Sequence, residues 1–168
     1  MRAAVLTISD SCYRGEREDR SGPAVCARLE EHGWPVAVAE ILPDEAALIS
    51  ARLCNLADGG AVSAVFTTGG TGVAARDVTP EATRAVLERE LPGLGEQMRA
   101  EGRKKTPLAA LSRAIAGTRG RCLIVNLPGS PKGAVESLDA IVDLVPHLVD
   151  LLEGRTAHRA EPKLRTAP

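Results

Sequence analysis

The sequence predicts an α/β domain whose sheet is mostly parallel and gains a hairpin in its C-terminal half. Three observations carry this. Apolar, strand-length runs alternate with segments of helical periodicity through the first half of the chain, the pattern of right-handed βαβ crossovers. The runs at Ala3 to Ile8 and Ala64 to Phe66 are continuously apolar, as in strands covered on both faces. The two runs that carry the argument furthest end in a glycine turn before a helix, which gathers loops at one sheet edge, where open α/β sheets bind ligands.

In chain order, Ala3 to Ile8 is a central strand ending in Ser9-Asp10-Ser11. Asp10 is either a turn residue bonding its own backbone or a carboxylate facing a ligand. A polar loop follows to Gly22, then a helix from Pro23 to His32 closed by Gly33. Pro35 to Leu42 alternates as a strand. Asp44 is placed to cap a helix from Glu45 to Leu56, with Leu48, Ile49, Leu53 and Leu56 as its core stripe. The third strand leads into Thr67-Thr68-Gly69-Gly70-Thr71-Gly72, and Thr79-Pro80 reads as N-cap and first turn of a helix to Glu90. Pro92-Gly93 separates this from a helix over Leu94 to about Gly102. A helical turn at Leu108 to Leu111 precedes a hairpin of strands Arg113 to Gly117 and Arg121 to Leu127. The turn Pro128-Gly129-Ser130-Pro131 opens a last helix from Lys132 to about Leu152, which Pro146 kinks or restarts. Residues 1–154 thus form one domain. The composition from Arg155 to Pro168, with two prolines and little apolar pattern, predicts a disordered or loosely packed tail.

Composition excludes several functions. With 21 basic and 22 acidic residues there is no field to gather nucleic acid, and 2% aromatic residues leave no base-stacking platform. The four cysteines, Cys12, Cys26, Cys54 and Cys122, form no C-x-x-C pair, and the three histidines show no metal spacing. Cys26, Cys54 and Cys122 stand among apolar neighbours as small core residues, whereas Cys12 sits in the polar loop. The first apolar run is too short for a secretory signal and no run approaches membrane length, so the cytoplasm is the expected location.

Chemistry concentrates between Ala64 and Pro80. Three glycines and three threonines in six residues suit a loop whose backbone approaches a ligand closely, and its successive N–H groups form a nest for an anion. It is no Walker loop, because no Lys-Ser or Lys-Thr follows, and the order G-G-T-G departs from G-x-G-x-x-G, disfavouring a dinucleotide fold. A carboxylate, Asp77, lies just beyond, with Asp10 and Asp44 at the same sheet edge. Carboxylates beside a phosphate nest call for a cation between them, and Mg²⁺ shared with substrate phosphates is the usual one. Arg76 either neutralises a phosphate or bridges to Asp77. The basic cluster at Arg103 to Lys105 is either a solvated helix end or a contact for an anionic substrate.

Six segments, TISDSCYRG, LPDE, TTGGTG with ARDVTPEAT, LPGLGEQMR, LSRAIAG and IVNLPGSPKG, together resemble the MogA/MoaB family of molybdenum-cofactor biosynthesis, over Ala4 to about Gly154. The resemblance implies a three-layer α/β/α fold, a homotrimer and a molybdopterin cleft at the glycine loop. It also implies transfer of AMP from ATP to molybdopterin with release of pyrophosphate and with Mg²⁺. It places the essential aspartates on Asp44 and Asp77, and these two are the candidate metal carboxylates, with the one that holds the metal left open. Substrate contacts fall on Thr68, Gly69, Gly70, Thr71, Gly72, Ser112, Asn126, Pro128, Gly129 and Ser130, while Asp10, Arg76 and Lys132 are further candidate contacts. A binding protein without catalysis is the alternative within the family, and small molecules, not nucleic acid or membranes, are the expected partners.

Overall fold

The computed structural model describes residues 1–155. The predicted tail from Arg155 onwards lies outside the described residues except for Arg155 itself. The elements are β1 (Ala3–Ile8), α1 (Asp10–Tyr13), α2 (Ser21–Glu31), β2 (Val36–Leu42), α3 (Ala46–Asp58), β3 (Ala64–Thr68), α4 (Thr79–Arg84), β4 (Arg89–Glu90), α5 (Pro92–Arg103), a 3₁₀ turn at Pro107–Leu111, β5 (Ala116–Arg119), β6 (Cys122–Leu127), α6 (Pro131–Asp139), a 3₁₀ turn at Val142–Leu144, and α7 (Val145–Leu152).

The six strands form one sheet in the order β2-β1-β3-β6-β5-β4. β2, β1, β3 and β6 run parallel, with Thr7 opposite Thr68 and Thr68 opposite Leu127, so three strand ends lie level. β5 returns antiparallel to β6 through Gly120-Arg121, and β4 pairs with β5. The hairpin thus lies inside the sheet, with β4 as the edge beyond it.

The faces are two separate apolar layers. Val25 and Leu29 of α2, Leu94 and Met98 of α5, Leu138 of α6 and Val145 and Val149 of α7 pack on Val5, Phe66, Leu123 and Val125. Ile49, Leu53 and Leu56 of α3 and Ala82 of α4 cover Leu6, Ile8, Val65 and Ile124 on the other face. β1, β3 and β6 are buried along their whole length, which is why Ala3 to Ile8 and Ala64 to Phe66 read as continuous apolar runs. Trp34 stacks obliquely on Phe66 at 6.3 Å, and both are buried.

Several expectations are corrected. The loop before Gly22 contains the single turn α1, and α2 starts at Ser21 because Asp19 Oδ1 accepts the Ser21 and Gly22 amides. Glu45, not Asp44, is the N-cap of α3, and Leu48 of its predicted stripe is 47% exposed. The helix expected to reach Glu90 ends at Arg84, since Arg89 and Glu90 pair with Thr118 and Gly117. Thr79 does not cap α4 with its side chain; its hydroxyl turns back to the glycine loop. Pro146 restarts the chain as α7 after a 3₁₀ turn. Cys12, expected in a polar loop, is buried, while Cys26 and Cys54 are half-buried.

Candidate active site

The level C-terminal ends of β1, β3 and β6 launch the loops that form the site. After β3 the chain turns through Gly69 (φ 105°) and Gly70 (φ 62°), backbone angles that favour glycine. A Cβ at Gly70 would lie 2.3 Å from Thr79 Oγ1 and 3.1 Å from Asp44 Oδ1, so space as well as angle demands glycine there.

The loop's polar groups are sorted by side. Gly69 O accepts from Thr79 Oγ1 (2.9 Å), Gly70 O from Thr79 N (3.1 Å), Thr71 O from Arg113 N (3.0 Å) and Gly72 O from Arg113 Nε (2.6 Å). Gly69 N donates to Leu127 O (3.1 Å). The amides of Gly70, Thr71 and Gly72 meet no acceptor among the described residues. Carbonyls face the protein and amides are left for a guest.

Two cavities flank the loop. One, of about 480 Å³, is lined by Gly70, Thr71, Gly72 and Ser112, by Met98, Leu108 and Leu111, and by Arg99 and Glu136. The other, of about 530 Å³, is lined by Thr68, Gly69, Gly70, Asp44, Asp77, Ser9 and Arg17. Gly70, Asp77, Gly129 and Ser130 line both. The turn after β6 touches the turn after β3, because a Cβ at Gly129 would stand 3.2 Å from the Gly69 Cα. Thr68 Oγ1 donates to Pro128 O (2.7 Å) and ties the same two turns.

The carboxylates sit in distinct surroundings. Asp10 N donates to Asp44 Oδ2 (2.8 Å) and Asp44 N to Asp10 Oδ1 (3.0 Å), a reciprocal bracket between the ends of β1 and β2. The bond from the Asp44 amide, together with the Arg76 guanidinium, holds the Asp10 carboxyl below the usual carboxylate range. Burial, and then the charges of Asp10 and Asp77, push Asp44 up. Asp77 Oδ2 accepts from Ala74 N (2.8 Å). No group of three or more His, Cys, Asp or Glu side chains is placed to hold a metal among the described residues. Two carboxylates on one cavity beside a phosphate-type nest nevertheless fit Mg²⁺, which completes its shell with water and phosphate oxygens, and a cation would relieve the strain on Asp44.

A family model described as a probable molybdopterin binding domain matches residues 4–147. The chain belongs to this molybdopterin-binding family. It is 45% identical over 152 residues to a protein of Helicobacter pylori (strain J99) named molybdopterin adenylyltransferase, covering 89% of this chain and 86% of that one. It is 39% identical over 188 residues to the protein of that name from Escherichia coli (strain K12), covering 100% and 90%. The crystal structure of the molybdopterin biosynthesis enzyme MoaB from Thermus thermophilus superposes with a TM-score of 0.86 at 51% identity, over 91% of this chain and 96% of that one.

Most of the candidate site residues come together: Asp44, Asp77, Thr68, the glycine loop, Ser112, Pro128, Gly129 and Ser130 line one or both cavities. Four do not. Asn126 is fully buried, its Nδ2 donating to Thr67 Oγ1 (3.0 Å) and Thr83 Oγ1 (2.8 Å), so it braces the strand behind the loop. Arg76 pairs with Asp10 (2.8 Å), not Asp77, and both lie outside the cavities. Lys132 is 84% exposed along its side chain, 3.9 Å from Glu136. Sequence reasoning missed Arg17, Arg99, Arg113 and Glu136. The basic cluster it noted at Arg103 to Lys105 lines neither cavity, and Lys104 pairs with Glu101.

Proposed function

We propose that this protein is a molybdopterin adenylyltransferase, transferring AMP from ATP to the terminal phosphate of molybdopterin with release of pyrophosphate. One observation carries the reading: unclaimed amides of Gly70, Thr71 and Gly72 adjoin two cavities, one largely apolar and one holding Asp44 and Asp77. The apolar lobe, with Met98, Leu108 and Leu111, suits a flat heterocycle, and its charged lining residues Arg99 and Glu136 suit the polar edge of a pterin. The acidic lobe suits a nucleotide polyphosphate.

In this reading, a terminal phosphate oxygen of molybdopterin attacks the α-phosphorus of ATP while the bond from that phosphorus to the bridging β-phosphate oxygen breaks. The leaving group is pyrophosphate, and the phosphate nucleophile needs no general base. The loop amides hold the phosphate at the junction of the lobes, and catalysis is mainly alignment and charge stabilisation. Arg17, which lines the acidic lobe and donates to Ser9 Oγ (3.3 Å) without an ion-pair partner among the described residues, neutralises charge growing on the leaving group. Asp44 and Asp77 would hold Mg²⁺, which supplies further neutralisation of phosphate charge.

Incubating the protein with ATP, Mg²⁺ and molybdopterin should release pyrophosphate and form adenylylated molybdopterin. Tight molybdopterin binding without pyrophosphate would favour the non-catalytic member of the family instead. The same reading extends to a cytoplasmic homotrimer, for which light scattering should give a mass near three chains.

A further inference from the structure

A trans peptide points its C=O and the following N–H in opposite directions, so whatever holds a carbonyl aims the next amide. No cis peptide occurs among the described residues. Four consecutive carbonyls of the glycine loop are held by only two residues, Thr79 and Arg113. The Thr79 hydroxyl on Gly69 O aims the Gly70 amide, and Thr79 N on Gly70 O aims that of Thr71. Arg113 N on Thr71 O aims the Gly72 amide, and its Nε on Gly72 O aims that of Val73.

We propose that Thr79 and Arg113 are positioning residues that set the anion nest from behind, one at its entry and one at its exit. The inference rests on the nest reading above but not on adenylyl transfer itself. Thr79 is wholly buried, and a Cβ at Gly70 would collide with its hydroxyl, so donor and loop are fitted to each other. Arg113 also donates through Nη2 to Asp77 O (2.5 Å) and pairs with Glu81. One guanidinium therefore spans the segment from Gly72 to Asp77 and fixes the carboxylate bearer relative to the amides. Neither side chain faces the guest: Thr79 lines neither cavity, and Arg113 reaches the loop from its carbonyl side.

The probe is inorganic pyrophosphate with Mg²⁺, followed by titration calorimetry and by amide chemical shifts. In the wild type, the amides of Gly70 to Val73 should shift together on titration. Thr79→Val should lose the Gly70 response and weaken binding about tenfold or more, the scale of one lost hydrogen bond to a charged group. Thr79→Ser, which keeps the hydroxyl, should bind within about threefold of the wild type, and Arg113→Lys should lose the Val73 response while keeping that of Gly70. A lowered melting temperature in Thr79→Val with unchanged affinity and shifts well below that temperature would overturn the inference. Wild-type protein in which none of these amides responds would overturn both the inference and the nest. If the shifts follow the expected pattern but the wild type makes no adenylylated product, the inference stands and the enzymatic reading falls.

Discussion

Asp44 is the residue whose environment works against it. Its carboxylate is partly desolvated and lies near two like charges, so its folded-state pKa is raised. A raised pKa means that the favourable contribution is present below the ordinary aspartate value and is lost as pH rises through the raised one. Asp44→Asn should therefore leave the melting temperature at neutral pH unchanged or raised by about 1–3 °C, by differential scanning calorimetry, while adenylylation is lost. Asp10 carries the opposite sign: its lowered pKa contributes stability above the ordinary value that is lost as pH falls through the lowered one. Gly70→Ala should abolish activity and soluble expression alike or leave a protein unable to bind pyrophosphate, because the methyl meets Thr79 in a backbone conformation that L-residues resist. Sequence made the glycines and both aspartates of the site legible, since loop chemistry is written in residue type. It hid Arg113 and Thr79, whose roles depend on what lies across space; Thr79-Pro80 looks like a cap locally, and only folding turns the hydroxyl to Gly69.

Among elements, the pair α2 and α6 shows which force holds the layer. Arg28 of α2 reaches Asp139 of α6 through Nε (2.6 Å) and Nη2 (3.1 Å), yet both side chains are about a third exposed. Such pairs contribute about 0–1 kcal/mol. Leu138, the residue immediately before Asp139, is fully buried, and truncating such a leucine costs about 2–5 kcal/mol. Arg28→Met should then move the melting temperature by no more than about 3 °C and Leu138→Ala by roughly 5–15 °C. Equal shifts would refute this ranking. Element types were legible where an apolar run, a helical stripe or a Pro-Gly break marked them, as in β1, α3 and α5. β4 was not, because two residues become a strand only through the partner that Thr118 and Gly117 supply. The exposure of Leu48 was equally hidden, since a helical stripe does not declare how far its neighbours extend.

For the whole molecule, the single tryptophan and the buried thiols report on integrity together. Trp34 lies against Phe66 in the larger apolar layer, and burial pushes the Cys122 thiol up to about 12. In native protein at pH 8 a thiol reagent should spare Cys122 and Cys12, and both should be labelled only over the denaturant range in which Trp34 fluorescence shifts red. Labelling of Cys122 ahead of that transition would show a partial opening of the sheet. The sheet order also gives the two glycine turns a mechanical meaning. β3 and β6 are neighbours, and with Gly69 and Gly129 in contact there is no slack between the turns. Their junction is a fixed gauge, so engineering the enzyme for bulkier cargo would succeed by carving the outer walls at Leu108 or Leu111, never by widening the throat.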